Sequence, residues 1–401
     1  MKLVIFCHPE FLRSQSMPRF AGMLKSAFEV RGHDVTMWSP APKCHRLFAA
    51  SKYSKWAGYI DQYVLFPLHV RKVLKGISAD TLFVFCDQAL GPWVPLVKSR
   101  PHVVHVHDLL ALRSALGDIR ENPTSLSGRI YQRFIRRGFR QARHFISASK
   151  KTRDDLHRFG RVNALSSDVV YNGLNFPFEP MARDEAREVL QAGGFPVSPN
   201  GMLLHLGGNQ WYKNQVGVIS IYAQYVAGET DPLPLWCISP KPNDPVKRAL
   251  SKVGQRGRVL FFQDVPNRVL QAAYSYARAF LFPSLAEGFG WPLAEAEACG
   301  CPVMTTNEPP MTEVAGDAAY YLPRLRYDED IDAWALRGAS ILKELLSQSA
   351  DEQAERSERG RAWANYFDAN GSIEAYLAIY DTILRLSQGR AAPGLALDEG
   401  R

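Results

Sequence analysis

The sequence predicts an α/β protein with two doubly wound domains, each built around a parallel sheet. Short apolar runs alternate with helical stretches, which is the rhythm of such a sheet. The rhythm restarts after a segment rich in Asn, Gly and Pro, and 401 residues are too many for one ordinary core. Domains of this kind bind ligands at the carboxyl ends of their strands, so we expect a cleft there.

The first domain is expected to span residues 1–171. Continuous apolar runs such as Lys2-Leu-Val-Ile-Phe-Cys7 suit strands that are buried on both faces. The predicted strands are 2–7, 34–38, 81–86, 102–105, 144–148 and 169–171. The predicted helices are 16–31, 52–76 and 128–143.

The second domain is expected to span residues 172–371. Its predicted strands are 202–206, 235–238, 258–262, 279–282 and 302–305. Its predicted helices are 214–226, 267–276, 292–299, 330–347 and 353–367, and a last helix covers 372–387. Residues 388–401 are expected to form a flexible tail.

Composition favours a cytoplasmic globular protein with an unevenly charged surface. No apolar run approaches the roughly 20 residues that span a bilayer, no signal-peptide pattern is present, and the six cysteines form no CxxC pair. The formal charge is +8, distributed as +15 over residues 1–178 and −7 over the remainder. The first half is therefore expected to attract an anionic partner.

The strongest local signal is Glu287-Gly-Phe-Gly-Trp-Pro-Leu-Ala-Glu295, which follows a predicted strand. Glycines let a backbone approach a ligand closely, and Pro292 suits the first turn of a helix. A glycine-rich loop that opens a helix attracts phosphate. The alternative reading is an ordinary strand–helix turn in which the two glutamates cap the helix.

The stretch from Glu287 to Asp317 resembles the signature of retaining glycosyltransferase family 4, which has the GT-B fold. The two acids stand as that family's Glu-x7-Glu pair. Four further segments resemble the family in order: His105-Val-His-Asp-Leu-Leu110, Ser149–Leu156, Val170-Tyr-Asn-Gly-Leu-Asn175 and Leu206-Gly-Gly-Asn-Gln-Trp-Tyr-Lys-Asn214. The resemblance also implies that the last helix packs back on the first domain.

The resemblance implies a role for each matching residue. His107, Lys213 and Glu287 would be catalytic: His107 lies near the transferred sugar, Glu287 holds its hydroxyls and Lys213 neutralises the departing diphosphate. Glu295 would bind the ribose. The remaining donor-binding positions are Gly207, Gly208, Asn214, Gly288, Phe289 and Gly290. Many family members carry Arg where this chain has Gly208, so one usual phosphate partner is missing.

The implied reaction is metal-independent transfer of a hexose, of mannose or glucose type, without a cofactor. The donor would be a nucleoside-diphosphate sugar, and the acceptor a hydroxyl of a glycan or lipid-linked molecule in cell-envelope polysaccharide or lipopolysaccharide synthesis. Two alternatives stay open: a phosphorylase-like enzyme, and a catalytically silent nucleotide-sugar-binding or membrane-docking subunit. Donor hydrolysis without acceptor separates an enzyme from a silent subunit.

A basic stripe is visible without any family comparison. On the predicted helix 128–143, six arginines fall within about 120° of arc, and Tyr131, Phe134, Ile135 and Ala142 take the other side. Either this is a solvated face, or Arg129, Arg133, Arg136, Arg137 and Arg140 contact an anionic membrane from the cytoplasmic side. Nucleic acid is not an expected partner, because no aromatic side chains alternate with the arginines.

Overall fold

The computed structural model describes residues 1–12 and 16–389. Contacts divide the described residues into two compact units: Met1–Ile119, Pro123–Tyr171 and the described residues from Asn370 to Gly389 form one, and Arg120–Asn122 with Asn172–Ala369 form the other. Each contains a six-stranded sheet in which every strand pair is parallel. The predicted α/β class with two parallel sheets is therefore confirmed. Of the predicted tail, residues 390–401 lie outside the described part.

The sheet of the first unit has the order β2-β1-β3-β4-β5-β6. Its strands are β1 (Lys2–Phe6), β2 (Asp34–Trp38), β3 (Leu82–Phe85), β4 (His102–Val106), β5 (His144–Ser147) and β6 (Ser166–Val169). Its helices up to this point of the chain are α1 (Ser16–Val30), α2 (Lys43–Leu47), α3 (Ser54–Ile60), α4 (Phe66–Val73), α5 (Leu110–Leu116), α6 (Leu126–Phe139) and α7 (Lys150–Asp155). A π-helical turn, Asp61–Leu65, joins α3 to α4, and another, Leu156–Gly160, follows α7.

Two predicted elements of this unit are displaced. The last strand is 166–169 and not 169–171, because an edge strand is only half-buried and can be polar, as Ser166-Ser-Asp-Val169 is. Helix α6 ends at Phe139, so Arg143 lies beyond the helix. A Cβ atom on Gly138 would lie 2.1 Å from the carbonyl oxygen of Gly91, and this close approach holds α6 directly on the segment Gln88–Leu96.

The sheet of the second unit has the order β12-β11-β10-β7-β8-β9. Its strands are β7 (Leu203–Leu206), β8 (Leu235–Ile238), β9 (Val259–Phe262), β10 (Ala279–Phe282), β11 (Val303–Thr306) and β12 (Tyr320–Leu322). Its helices are α8 (Arg183–Ala192), α9 (Gln215–Ala227), α10 (Asp244–Leu250), α11 (Asn267–Tyr276), α12 (Trp291–Ala298), α13 (Met311–Ala315), α14 (Ile331–Ser347) and α15 (Ala350–Ala364). Several short elements, such as α8 and β12, were not predicted.

The last helix, α16 (Ala369–Ser387), contributes to the core of the first unit. Its buried side chains Ile373, Tyr376 and Tyr380 pack with residues of the first sheet. The hydroxyl of Tyr380 lies 2.6 Å from Nε2 of His105, so His105 is a core residue. No helix in the described residues is long and apolar enough to cross a membrane.

Candidate active site

The glycine-rich loop has the local structure that its sequence predicts. Strand β10 ends at Phe282, the chain turns through residues 283–290, and α12 begins at Trp291 with Pro292 in its first turn. Gly290 adopts φ +103°, a left-handed conformation that a side chain would strain. The loop therefore ends at the amino end of α12, at the carboxyl edge of the second sheet.

Lys213 and Glu287 form an ion pair at this edge. Nζ of Lys213 donates to Oε1 of Glu287 at 2.8 Å, and the Ser284 hydroxyl donates to the same oxygen at 2.9 Å. The side chains are only 16% and 8% exposed, so the pair is shielded from bulk water. Lys213 ends a short helical turn after β7, and β7 is the sheet neighbour of β10.

Glu295 lies on α12 and is buried. Its Oε2 accepts a hydrogen bond from the Tyr274 hydroxyl at 3.1 Å. Burial raises the pKa of Glu295 to about 7, although the bond from Tyr274 and the charge of Lys213 act in the opposite direction. This carboxyl group therefore changes charge near neutral pH.

The glycine segment after β7 leads into α9, which Asn214 caps. Asn214 adopts φ +50°, its Oδ1 accepts from the Gly217 amide at 3.2 Å, and its Nδ2 donates to the Pro283 carbonyl at 3.0 Å. Both polar atoms of this side chain thus connect the two loops of the site. A Cβ atom at Gly207 would lie 3.2 Å from Cβ of Lys213, so Gly207 leaves room for the lysine.

Three residues that the sequence analysis did not single out position this site. Tyr274 holds Glu295, and Ser284 holds Glu287. Arg324, which follows β12, donates to the Leu285 carbonyl at 2.7 Å and to Glu121 at 2.6 Å. Its guanidinium therefore anchors the loop. Gly288 and Phe289 lie within the loop, and the Phe289 ring packs 5.3 Å from that of Phe367.

A second group of polar side chains lies at the carboxyl edge of the first sheet, where β1, β3 and β4 end. Nε2 of His8 lies 2.8 Å from Oδ2 of Asp87, and the Ala89 amide donates to Oδ1 at 3.1 Å. Burial raises the pKa of Asp87, but the bond and charge of His8 and the charge of His107 outweigh it and leave the pKa below its usual value. His8 and Asp87 were missed, although each follows a buried strand by two residues.

His107 lies in the same group, after β4. Its Nε2 donates to the Cys86 carbonyl at 3.0 Å, and its ring stands edge-on to Phe20 at 4.5 Å. Burial lowers the pKa of His107. Within the described residues its Nδ1 has no partner. The neutral ring thus contains a buried hydrogen-bond acceptor that is unused in the described residues.

The chain matches two family models, one in each unit. Residues 17–176 match the model described as Glycosyltransferase Family 4, and residues 196–362 match the model described as Glycosyl transferases group 1. Together the matches cover both groups of polar residues described above except His8.

Relatives with curated names include the O-antigen chain mannosyltransferase B of Escherichia coli, 28% identical over 242 residues. Another is the O-antigen chain mannosyltransferase RfbU of Salmonella typhimurium, 25% identical over 262 residues. These matches cover 60% and 64% of this chain. They span 60% and 65% of the relatives' own lengths, which is less than two thirds.

The fold is also found in solved structures. That of WaaG, described as a glycosyltransferase involved in lipopolysaccharide biosynthesis, superimposes with a TM-score of 0.68 at 15% identity. The match covers 94% of this chain and 99% of that chain. A glycosyltransferase from Rickettsia africae gives 0.67 at 12% identity, over 96% and 98% of the two chains.

Proposed function

The chain belongs to glycosyltransferase family 4, and we propose that it transfers a hexose from a nucleoside-diphosphate sugar to a hydroxyl of a glycan or lipid-linked acceptor, with retention of configuration. The observation that carries the proposal is the pairing of Lys213 with Glu287 beside the buried Glu295. One cation and two carboxyl groups at the same edge of the sheet match a ligand that carries a diphosphate and two sugars.

The contacts in the second unit support a separate role for each of these groups. Glu295, once ionised, offers two acceptor oxygens to the ribose hydroxyls, and Glu287 accepts from hydroxyls of the transferred sugar. Lys213 carries the charge that the diphosphate requires. Before the donor binds, Glu287 neutralises this ammonium at 2.8 Å. An arriving diphosphate then competes for Lys213 and frees Glu287 for the sugar.

The same lysine would favour bond cleavage. Negative charge grows on the diphosphate as the glycosidic bond breaks, so a preorganised ammonium stabilises the transition state more than the ground state. The leaving phosphate oxygen takes the proton of the acceptor hydroxyl, and the acceptor oxygen forms the new bond at the anomeric carbon. This step needs no protein nucleophile, metal ion or cofactor.

The first unit would supply the acceptor side. Nδ1 of His107 is buried and has no partner in the described residues, so it is an unused acceptor for a sugar hydroxyl that reaches it. The arginines of α6 and its C-cap Arg140 support contact with an anionic membrane that carries the acceptor, since Arg133, Arg136, Arg137 and Arg140 line one open depression together with Arg161. The named relatives suggest mannose as the first sugar to test and O-antigen-type polysaccharide as the pathway class.

The proposal is tested with purified full-length chain. Thermal shift with GDP, UDP, GDP-mannose and UDP-glucose selects the donor, since a ligand at about 100 times its Kd stabilises by about 2.7 kcal/mol. Slow hydrolysis of that donor, unchanged by EDTA, is expected, and NMR of the transfer product should show the anomeric configuration of the donor. Tight binding with no hydrolysis and no transfer would instead indicate a silent binding subunit.

A further inference from the structure

Two rows of exposed apolar side chains lie on neighbouring helical segments of the first unit. The helical stretch 54–73 and helix α6 each present one at every fourth position, so each row follows one helix face. They are 44–73% exposed. The apolar rows are Trp56, Ile60, Val64 and Leu68 on 54–73, and Leu126, Ile130 and Phe134 on α6.

Tyrosine contacts hold the two rows side by side. The rings of Tyr59 and Tyr131 stack at 5.8 Å, the hydroxyls of Tyr63 and Tyr131 lie 2.6 Å apart, and the Tyr63 ring stands edge-on to Phe134 at 5.3 Å. The rows are therefore one continuous apolar surface and not scattered single residues. Phe134 is 44% exposed and belongs to this surface.

Basic side chains flank this surface, and acidic ones are absent from it. Residues 43–76 contain seven Lys or Arg and one acid, Asp61, and residues 123–143 contain six Arg and no acid. Asp61 is buried, where it accepts from the amides of Cys44 and His45 at 2.8 Å. Within the described chain, no arginine of α6 forms an ion pair with a carboxylate.

The arginines are also crowded together. Burial and the charges of Arg140 and Arg161 lower the pKa of Arg136. Arginine side chains that repel one another and have no acidic partners are stabilised when an external anion binds among them. An arrangement of exposed apolar rows beside arginines that have no carboxylate partner is the pattern of a helix that lies in a membrane interface.

We propose that the apolar rows insert into the headgroup–acyl boundary of an anionic bilayer while the arginines bind lipid phosphates. The proposal deepens the membrane contact of the proposed function and rests on it. A second copy of the chain fits the surface poorly, because a two-fold interface would bring the arginine rows together. Nucleic acid fits poorly too, since five of the seven row side chains are aliphatic and cannot stack on bases as aromatic rings do.

The test is sedimentation with vesicles of phosphatidylglycerol and phosphatidylcholine, compared with phosphatidylcholine alone, at low and high salt. The apolar variant carries Ile60→Ser, Val64→Ser and Ile130→Ser. The matched control carries Val30→Ser, Leu165→Ser and Leu336→Ser, three aliphatic side chains at least as exposed but outside the rows. The arginine variant carries Arg133→Gln, Arg136→Gln, Arg137→Gln and Arg140→Gln.

We expect the apolar variant to lose at least about tenfold in partition constant, because burying apolar area contributes to interfacial binding. The control should bind like wild type, and circular dichroism and donor affinity should stay unchanged in all variants. Brominated lipids should quench the tryptophan fluorescence of Trp56→Phe less than that of wild type.

Three outcomes would overturn the insertion. If the apolar variant sediments like wild type while the arginine variant does not, only the electrostatic contact of the proposed function stands. If wild type binds no anionic vesicle at low salt, both the insertion and the electrostatic membrane contact are ruled out. Donor hydrolysis can still be observed in that case, so the transferase proposal is tested separately. If wild type self-associates without lipid and the apolar variant does not, the surface is a protein interface.

Discussion

Each unit carries a group of polar side chains at the carboxyl edge of a six-stranded parallel sheet, yet the chemistry differs between the proposed donor side in the second unit and the proposed acceptor side in the first. At the donor side, Lys213 and Glu287 are formally charged and oppose each other at 2.8 Å. At the acceptor side, His107 is neutral and tied to a carbonyl, and Asp87 is occupied by His8 and an amide. An ammonium group suits a diphosphate, whereas the neutral ring of His107 suits an uncharged hydroxyl.

The largest effect is expected for Lys213→Ala. Turnover should fall by about 10²–10³-fold with a smaller change in donor affinity, because the lysine matters most as charge develops on the diphosphate. Steady-state kinetics with varied donor measure the split between kcat and KM. Lys241→Ala removes an exposed lysine of the same unit and serves as the control. A raised KM with normal kcat would place Lys213 in ground-state binding only.

Glu295→Gln should weaken nucleoside-diphosphate binding by about tenfold to a hundredfold, since a charged hydrogen-bond acceptor contributes about 1.5–3 kcal/mol. Nucleoside-diphosphate affinity should also depend on pH. Because the pKa of Glu295 is raised to about 7, the carboxyl is increasingly protonated below that pH and loses an acceptor site. Wild-type affinity should therefore rise between pH 6 and 8 more steeply than that of the variant.

Calorimetric titration at several pH values measures both effects. Taking the difference between wild type and Glu295→Gln removes the titration of the ligand itself, and Tyr274→Phe tests the hydrogen bond that holds the carboxylate. Parallel pH profiles for wild type and variant would remove Glu295 from the nucleotide site.

His107→Ala should lower transfer by about tenfold to a hundredfold, the value of one or two hydrogen bonds to a sugar, while nucleotide affinity stays within about twofold. The reason is that His107 belongs to the first unit, where no donor phosphate contact is assigned. Transfer assays and calorimetry on the same preparation measure it, with exposed His69→Ala as control. A parallel loss of nucleotide affinity would mean that His107 also contributes to nucleotide binding, and that donor and acceptor are not bound by separate units.

The smallest effect concerns Glu297, two residues beyond Glu295 on α12. Glu297 is buried, and neither carboxylate oxygen has a partner in the described residues, so burial raises its pKa well above the usual value. The folded state then holds this proton more tightly than the unfolded state does. Stability from Glu297 is complete below the unfolded pKa and declines as pH rises towards the folded one.

Glu297→Gln should therefore raise Tm at pH 8 by a few degrees, roughly the effect of 1 kcal/mol, and change it little at pH 4. Thermal unfolding across this pH range measures the difference, and donor affinity should not change. An equal shift at both pH values would mean that packing, and not ionisation, decides the effect. The contrast with Glu295 separates a functional acid from a structural one on the same helix.

Much of this protein is readable from local sequence. Apolar runs such as that of β1 predict strands because both faces of a parallel strand are buried. The loop from Glu287 to Glu295 is readable because glycine and proline carry backbone preferences that act within a few residues. Polar edge strand β6 escaped prediction because its burial is set by neighbours and not by its own composition.

The sequence alone thus determined the fold class, the family resemblance and the short segments that carry Lys213, Glu287 and Glu295. Only the tertiary structure decided which of these side chains meet. Lys213 and Glu287 are 74 residues apart, and His8 and Asp87 are 79 apart. The sequence likewise did not predict that the exposed rows on 54–73 and α6 form one surface. Contacts at such separations depend on sheet order and packing, which no local pattern encodes.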